Sequence, residues 1–178
     1  MMHFRKLIGK LLSLLPPSPK EVSYANIALT YLCNSRCRHC SIWKIYKYCP
    51  SKVREELTFE EIKAMFEKSR YLSKLKSIML TGGEPFLRKD FVEICGFFVS
   101  KYPQAGICIP TNAVDPNLVV KKLEELMHNY NPNPRNIYIS ISLDGIGRTH
   151  DEIRGVTGNY QNVLRLIQLV KERLPAIS

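Results

Sequence analysis

Ser77-Ile78-Met79-Leu80-Thr81-Gly82-Gly83-Glu84-Pro85 is an apolar run that breaks on two glycines, a carboxylate and a proline. Such a run predicts a short strand, Ser77–Leu80, that ends in a tight turn. On its N-terminal side, Thr58 with Glu61 three residues on forms a capping box, and Ile62, Met65 and Phe66 form an apolar helix face. On its C-terminal side, Asp90 is placed to cap a second helix, in which Phe91, Ile94, Cys95 and Phe98 recur at helical spacing. The same alternation continues. Gly106–Ile109 reads as a strand, Asp115-Pro116 opens a helix carrying Val119, Leu123, Leu126 and Met127, and Ile137–Leu143 reads as another strand. Asn159 is placed to cap a helix with Val163, Leu164, Ile167 and Val170. With Ile27–Tyr31 as the first strand, the chain contains four successive βα units. This order implies an α/β fold with a parallel sheet and helices outside it, either a barrel or a doubly wound sheet.

The 178 residues carry 26 Lys and Arg against 16 Asp and Glu, a net charge of +10. Such a balance favours anionic partners without choosing among nucleic acid, an acidic membrane surface and phosphorylated or carboxylated substrates. No apolar run is long enough to span a bilayer. Residues 1–15 read as a basic amphipathic helix, with Phe4, Leu7, Ile8, Leu11, Leu12 and Leu15 on one face and Arg5, Lys6 and Lys10 between them. It is a candidate for packing on its own domain or a partner, and secondarily for membrane-surface contact. Pro16-Pro17-Ser18-Pro19 then makes a stiff linker, so residues 1–20 separate from a domain at 21–178. Lys10 interrupts the apolar stretch and no small-residue cleavage site follows, which argues against a signal peptide.

Of six cysteines, Cys33, Cys37 and Cys40 fall within eight residues. Cys95 and Cys108 sit in apolar contexts and read as small buried hydrophobes. A tight thiol cluster with scattered free thiols points to a reducing, cytoplasmic setting and a metal centre rather than disulfides. Three thiolates from one loop satisfy three irons of a 4Fe–4S cube and leave the fourth open to an external ligand. The competing reading is a structural zinc site with His39 or Cys49 as fourth ligand. In that reading Arg36, Arg38, Lys44, Lys47, Lys52 and Arg54, interleaved with Trp43, Tyr46 and Tyr48, make a basic module that contacts nucleic acid. The remaining candidate polar groups also follow strands: Gly82-Gly83-Glu84-Pro85, then Thr111-Asn112, then Ser142 and Asp144. That is where βα folds place active sites.

Cys33-x3-Cys37-x2-Cys40 after a first strand resembles the signature of the radical S-adenosylmethionine enzymes, and Gly82-Gly83-Glu84-Pro85 resembles that family's second-strand motif. Ile141-Ser142-Leu143-Asp144-Gly145 with His150-Asp151-x-x-Arg154-Gly155 resembles the fourth-strand region of its subgroup that often carries a C-terminal auxiliary-cluster (SPASM/twitch) domain. The resemblance covers about residues 24–174. It implies a partial (βα) barrel with Cys33, Cys37 and Cys40 as ligands of a 4Fe–4S cluster. It also implies a cofactor site for S-adenosyl-L-methionine built from Gly82, Gly83, Glu84, Pro85, Asn112, Ser142, Asp144, Arg154 and His39. In this reading Glu84 receives the methionine amine, Arg154 pairs with the methionine carboxylate, and Ser142 and Asp144 hold ribose hydroxyls or the methionine end. The family commonly has glycine after the asparagine, where this chain has Ala113. Trp43 is a candidate shield for the cluster or a plain hydrophobic plug.

The implied activity is reductive cleavage of S-adenosylmethionine to a 5′-deoxyadenosyl radical that abstracts hydrogen from substrate, with a peptide as one candidate. An electron donor such as flavodoxin or ferredoxin is implied as partner. The family core usually has six βα units, so four units imply a fragment, a half completed by a second subunit, or a catalytically silent cluster-binding protein.

Overall fold

The computed structural model describes residues 22–177. The amphipathic stretch at 1–15 and the proline-rich linker lie outside the described residues. Four parallel strands form one open sheet in the order β1-β2-β3-β4, namely Tyr24–Thr30, Ser77–Gly82, Gly106–Thr111 and Ile137–Ile141. Between and after them run α1 (Phe59–Lys68), α2 (Phe91–Lys101), α3 (Pro116–Tyr130), α4 (Arg148–Arg154) and α5 (Asn159–Arg173). Short helical turns fill residues 42–55. Among the described residues no helix is long and apolar enough to cross a membrane.

The strands alternate in burial with period two. Ile78, Leu80, Ile107, Ile109 and Ile137 are wholly buried against the helices. Their neighbours Met79, Cys108 and Tyr138 lie side by side in register on the opposite face and stay half-buried or exposed. A doubly wound sheet would bury both faces. Helices on one face only, with strands in sequential order, make this the wall of a partial barrel. The same geometry corrects one expectation: Cys95 is fully buried on α2, and burial pushes its thiol up, but Cys108 looks toward the open inner face.

The capping box of α1 forms as the spacing predicts. Glu61 N donates to Thr58 Oγ1 at 3.2 Å, and Thr58 N donates to Glu61 Oε2 at 2.8 Å. Ile62 and Phe66 go inward, whereas Met65 is exposed. Asp115 likewise accepts from Leu118 N at 3.0 Å at the start of α3. Two expected caps are made otherwise. The Asp90 carboxylate makes no cap to α2, because it is held 2.6 Å from the buried Arg88 guanidinium. Arg88 also donates to the carbonyls of Leu29 and Leu57, tying the end of β1 to the approach of α1. Asn159 lies inside α5, and the helix is capped from α4, where Asp151 accepts from Gly158 N at 2.6 Å and Tyr160 N at 2.8 Å.

Past the strands the ladder continues into the loops. Gly83 N donates to Thr30 O at 2.7 Å, Glu84 N to Leu32 O at 2.8 Å, and Ser142 N to Thr111 O at 3.0 Å. The second-strand turn therefore lies flush on the loop that leads to the cysteines. A Cβ on Gly83 would stand 2.1 Å from the Leu32 carbonyl oxygen, and one on Gly82, at φ +131°, 2.3 Å from that of Thr30. Gly83→Ala must push this backbone apart. Its unfolding free energy from urea denaturation is expected to drop by on the order of 3 kcal/mol, and a loss below about 0.5 kcal/mol would mean that the two loops are not in contact.

Candidate active site

The loop Cys33–Cys40 leaves β1 and is fastened to the C-terminal end of α4. Arg36 N donates to Arg154 O and Arg38 N to Ile153 O, both at 2.9 Å. These are last-turn carbonyls that have no partner within their own helix. Gly155 then turns into the left-handed region at φ +65°, and a Cβ there would meet Arg36 O at 2.6 Å. Cys37 is buried, and Cys33 and Cys40 are half-buried. The loop thus carries three thiols past the end of β1, with the Cys33 and Cys37 sulfurs in contact with side chains from beyond β3 and from α4.

Two side chains donate to those thiols. Asn112 Nδ2 lies 3.6 Å from Cys33 Sγ, and Arg154 Nη1 lies 3.6 Å from Cys37 Sγ. Every polar group of Asn112 is used. Nδ2 also donates to Asn34 Oδ1 at 2.8 Å, Oδ1 accepts from Val114 N at 3.0 Å, and the backbone N–H donates to Glu84 Oε2 at 2.7 Å. Ala113, the residue after it, adopts φ +56° and is wholly buried. The alanine thus adopts the left-handed turn that glycine would take freely, at a cost of about 1–2 kcal/mol.

Glu84 is buried at 3% exposure and faces the cysteine side of the rim through Asn112. Burial pushes its carboxyl up to about 7, against the opposing pull of the N–H groups of Asn112 and Phe86 and of Arg154. A buried carboxylate held near neutrality by desolvation is poised to accept a cation. Burial also raises the Cys33 thiol, and the nearby charge of Glu84 adds to this.

Behind the rim runs a second polar layer that spacing along the chain did not reveal. His150 is fully buried, takes the Asp144 N–H on Nδ1 at 3.1 Å, and sets Nε2 2.9 Å from the Asn159 amide. Asn159 Nδ2 in turn donates to Asn112 O at 3.1 Å. Burial, then Arg154, hold the imidazole below its ordinary range. The layer links the loop after β4 to the loop after β3.

The structure therefore brings together Cys33, Cys37, Glu84, Asn112, Asp144 and Arg154. Arg154 Nε lies 2.6 Å from Asp144 Oδ2, a charge contact whose N–H is not aligned as a hydrogen bond. Gly82, Gly83 and Pro85 shape the turn below Glu84, and Ser142 is half-buried at the end of β4. His39 is exposed on the cysteine loop. Trp43 is half-buried and its Nε1 donates to Cys37 O at 3.4 Å, so it packs on the cysteine loop. Among the described residues no three His, Cys, Asp or Glu side chains gather round one point as a single ion requires. A cube differs, because each thiolate takes a separate corner. In the basic stretch Arg36 and Lys44 lie 5.1 and 5.3 Å over the Trp43 ring, and Lys52 pairs with Glu55 at 2.6 Å.

Residues 27–178 match the Radical SAM superfamily. The chain belongs to that superfamily. Radical SAM enzymes use a 4Fe–4S cluster and S-adenosylmethionine, and three thiols on one loop fit such a cluster. Among curated proteins the chain is similar to an Fe-coproporphyrin III synthase of Methanosarcina barkeri, 33% identical over 77% of this chain and 31% of that protein. It is also similar to a pre-heme d1 synthase of Dinoroseobacter shibae, 30% identical over 88% of this chain and 35% of that protein. A GTP 3′,8-cyclase of Sulfurimonas denitrificans is 31% identical over 60% of this chain and 32% of that protein. The chain spans about a third of the length of these radical SAM relatives.

Proposed function

We propose that this chain forms the cofactor-activating part of a radical SAM enzyme, with Cys33, Cys37 and Cys40 as the three cluster ligands. The observation that carries this reading is the continuous contact from Glu84 through Asn112 to Cys33, which joins the loops after β2, β3 and β1 at one rim. When bound, the cluster and S-adenosylmethionine supply one-electron reductive cleavage of the sulfonium, delivering a 5′-deoxyadenosyl radical to a substrate. The chain's own residues bind and orient. The Glu84 carboxylate accepts charge-assisted hydrogen bonds from the methionine ammonium. Gly82, Gly83 and Pro85 hold that carboxylate against the cysteine loop. Asn112, Ser142, Asp144, Arg154 and His39 complete the cofactor's surroundings, and the buried His150–Asn159 layer fixes the distance between the two sides. The relatives' names refer to Fe-coproporphyrin III, to GTP and to pre-heme d1. Names so unlike one another support a shared role in cofactor activation rather than in choice of substrate. An external one-electron donor is required.

Anaerobic reconstitution with iron and sulfide, then S-adenosylmethionine and dithionite, tests the reading. About four irons per chain and formation of methionine with 5′-deoxyadenosine are expected. A reconstituted cluster that yields neither product would instead make the chain a silent cluster-binding module, and one bound zinc without sulfide would reject the cluster altogether.

A further inference from the structure

Arg154 stands in the cofactor-binding set on sequence grounds, yet its guanidinium is already committed on two sides. Nη1 points at Cys37 Sγ, 3.6 Å away, and Nε lies 2.6 Å from Asp144 Oδ2. The side chain is 12% exposed and that of Asp144 29%. Its position relative to Cys37 is fixed by backbone: the carbonyls of Ile153 and Arg154 hold the N–H groups of Arg38 and Arg36, the residues on either side of Cys37. Gly155 brings α4 within van der Waals distance of Arg36, so no side chain intervenes. A permanent cation is thus clamped onto one of the three thiol sulfurs, in a buried place where charge is weakly screened.

We propose that Arg154 sets the reduction potential of the cluster by donating to the Cys37 thiolate, and that Asp144 damps this effect by partly neutralising the guanidinium. The inference rests on the assignment of Cys37 as a cluster ligand. One electron entering the cluster adds one negative charge, and a donor on a ligand sulfur stabilises that more negative state. Arg154 therefore raises the midpoint potential, and Asp144 lowers it. The two residues act in opposite directions through one guanidinium, which a merely structural role would not produce.

The test is an EPR-monitored redox titration of the anaerobically reconstituted full chain, without S-adenosylmethionine. Arg154→Gln is expected to move the midpoint to more negative potential by about 59 mV, a tenfold change in the reduced-to-oxidised ratio for one electron. Arg154→Lys, which keeps the charge and loses the fork, is expected to move it less. Asp144→Asn is expected to move it the other way. If Arg154→Gln fails to hold a cluster, Arg154→Lys and Asp144→Asn still carry the test with opposite signs. Wild-type protein that assembles no 4Fe–4S cluster would reject the ligand assignment itself. A wild-type cluster whose midpoint is unmoved by these variants, or moved the same way by both residues, would overturn the inference and leave that assignment standing.

Discussion

Glu84→Gln is expected to weaken S-adenosylmethionine binding by about 10- to 100-fold at pH 8, the loss of about 1.5–3 kcal/mol for a charge-assisted hydrogen bond, while making the metal-free polypeptide more stable. The two effects have opposite signs because the wild-type carboxylate is held in a buried place that suits its neutral form. With the group near 7 in the folded protein and near 4.5 in the unfolded chain, its contribution to stability is fully present below about pH 4.5. It is lost as pH rises to about 7, by on the order of 3 kcal/mol. Glutamine keeps an acceptor for the Asn112 N–H and carries no charge, so the variant lacks this loss. His150, held below its ordinary range, acts in the opposite direction in the same window. The difference between wild type and variant in urea midpoint, followed from pH 5 to 8, therefore isolates Glu84. A flat difference would show that Glu84 is solvated, and unchanged cofactor affinity would remove it from the binding site. Binding by the wild type is correspondingly expected to strengthen as pH rises through about 7, since the ammonium needs the ionised carboxylate.

Cys37→Ala is expected to lose nearly all cluster iron and the brown absorbance on anaerobic reconstitution, whereas Cys49→Ala keeps both. Cys37 is buried between Arg154 and the Trp43 indole, while Cys49 is exposed on the helical turns beyond the loop. Two thiolates leave two irons of a cube without protein ligands, and a buried alanine offers no replacement donor. Iron and sulfide content with circular dichroism separates ligand loss from unfolding, because α4 clasps the loop through backbone groups that the substitution does not touch. Full iron retention by Cys37→Ala would defeat the ligand assignment.

Much of this site was legible along the chain because its signals are local. Thr58 with Glu61 and Asp115 with Pro116 cap helices within four residues of themselves, and both caps form. Gly82-Gly83 announced a tight turn, and the structure adds the close approach of the Leu32 carbonyl to Gly83. Expectations failed where a partner comes from far away. Asp90 has the right residue type and position for a cap, but Arg88 and its bonds to Leu29 and Leu57 claim its carboxylate. Asn159 looked like a cap, but Asp151 on the preceding helix takes that place and frees the amide to reach Asn112. His150 was visible only as the first residue of a motif, since the contacts of a buried histidine between two loops have no periodicity to betray them.

Read alone, the chain determined which chemical groups it can offer and in which order. Three thiols follow the first strand, a carboxylate the second and an asparagine the third, because strand propensity and turn chemistry depend on neighbours only a few residues apart. Which of these groups touch was decided only when the sheet closed its register and α4 docked on the cysteine loop. Hydrogen bonds between residues 78 or 117 positions apart, such as Asn112 to Asn34 and Arg154 to Cys37, leave no pattern in sequence and exist only because parallel pairing brings the strand ends to one rim.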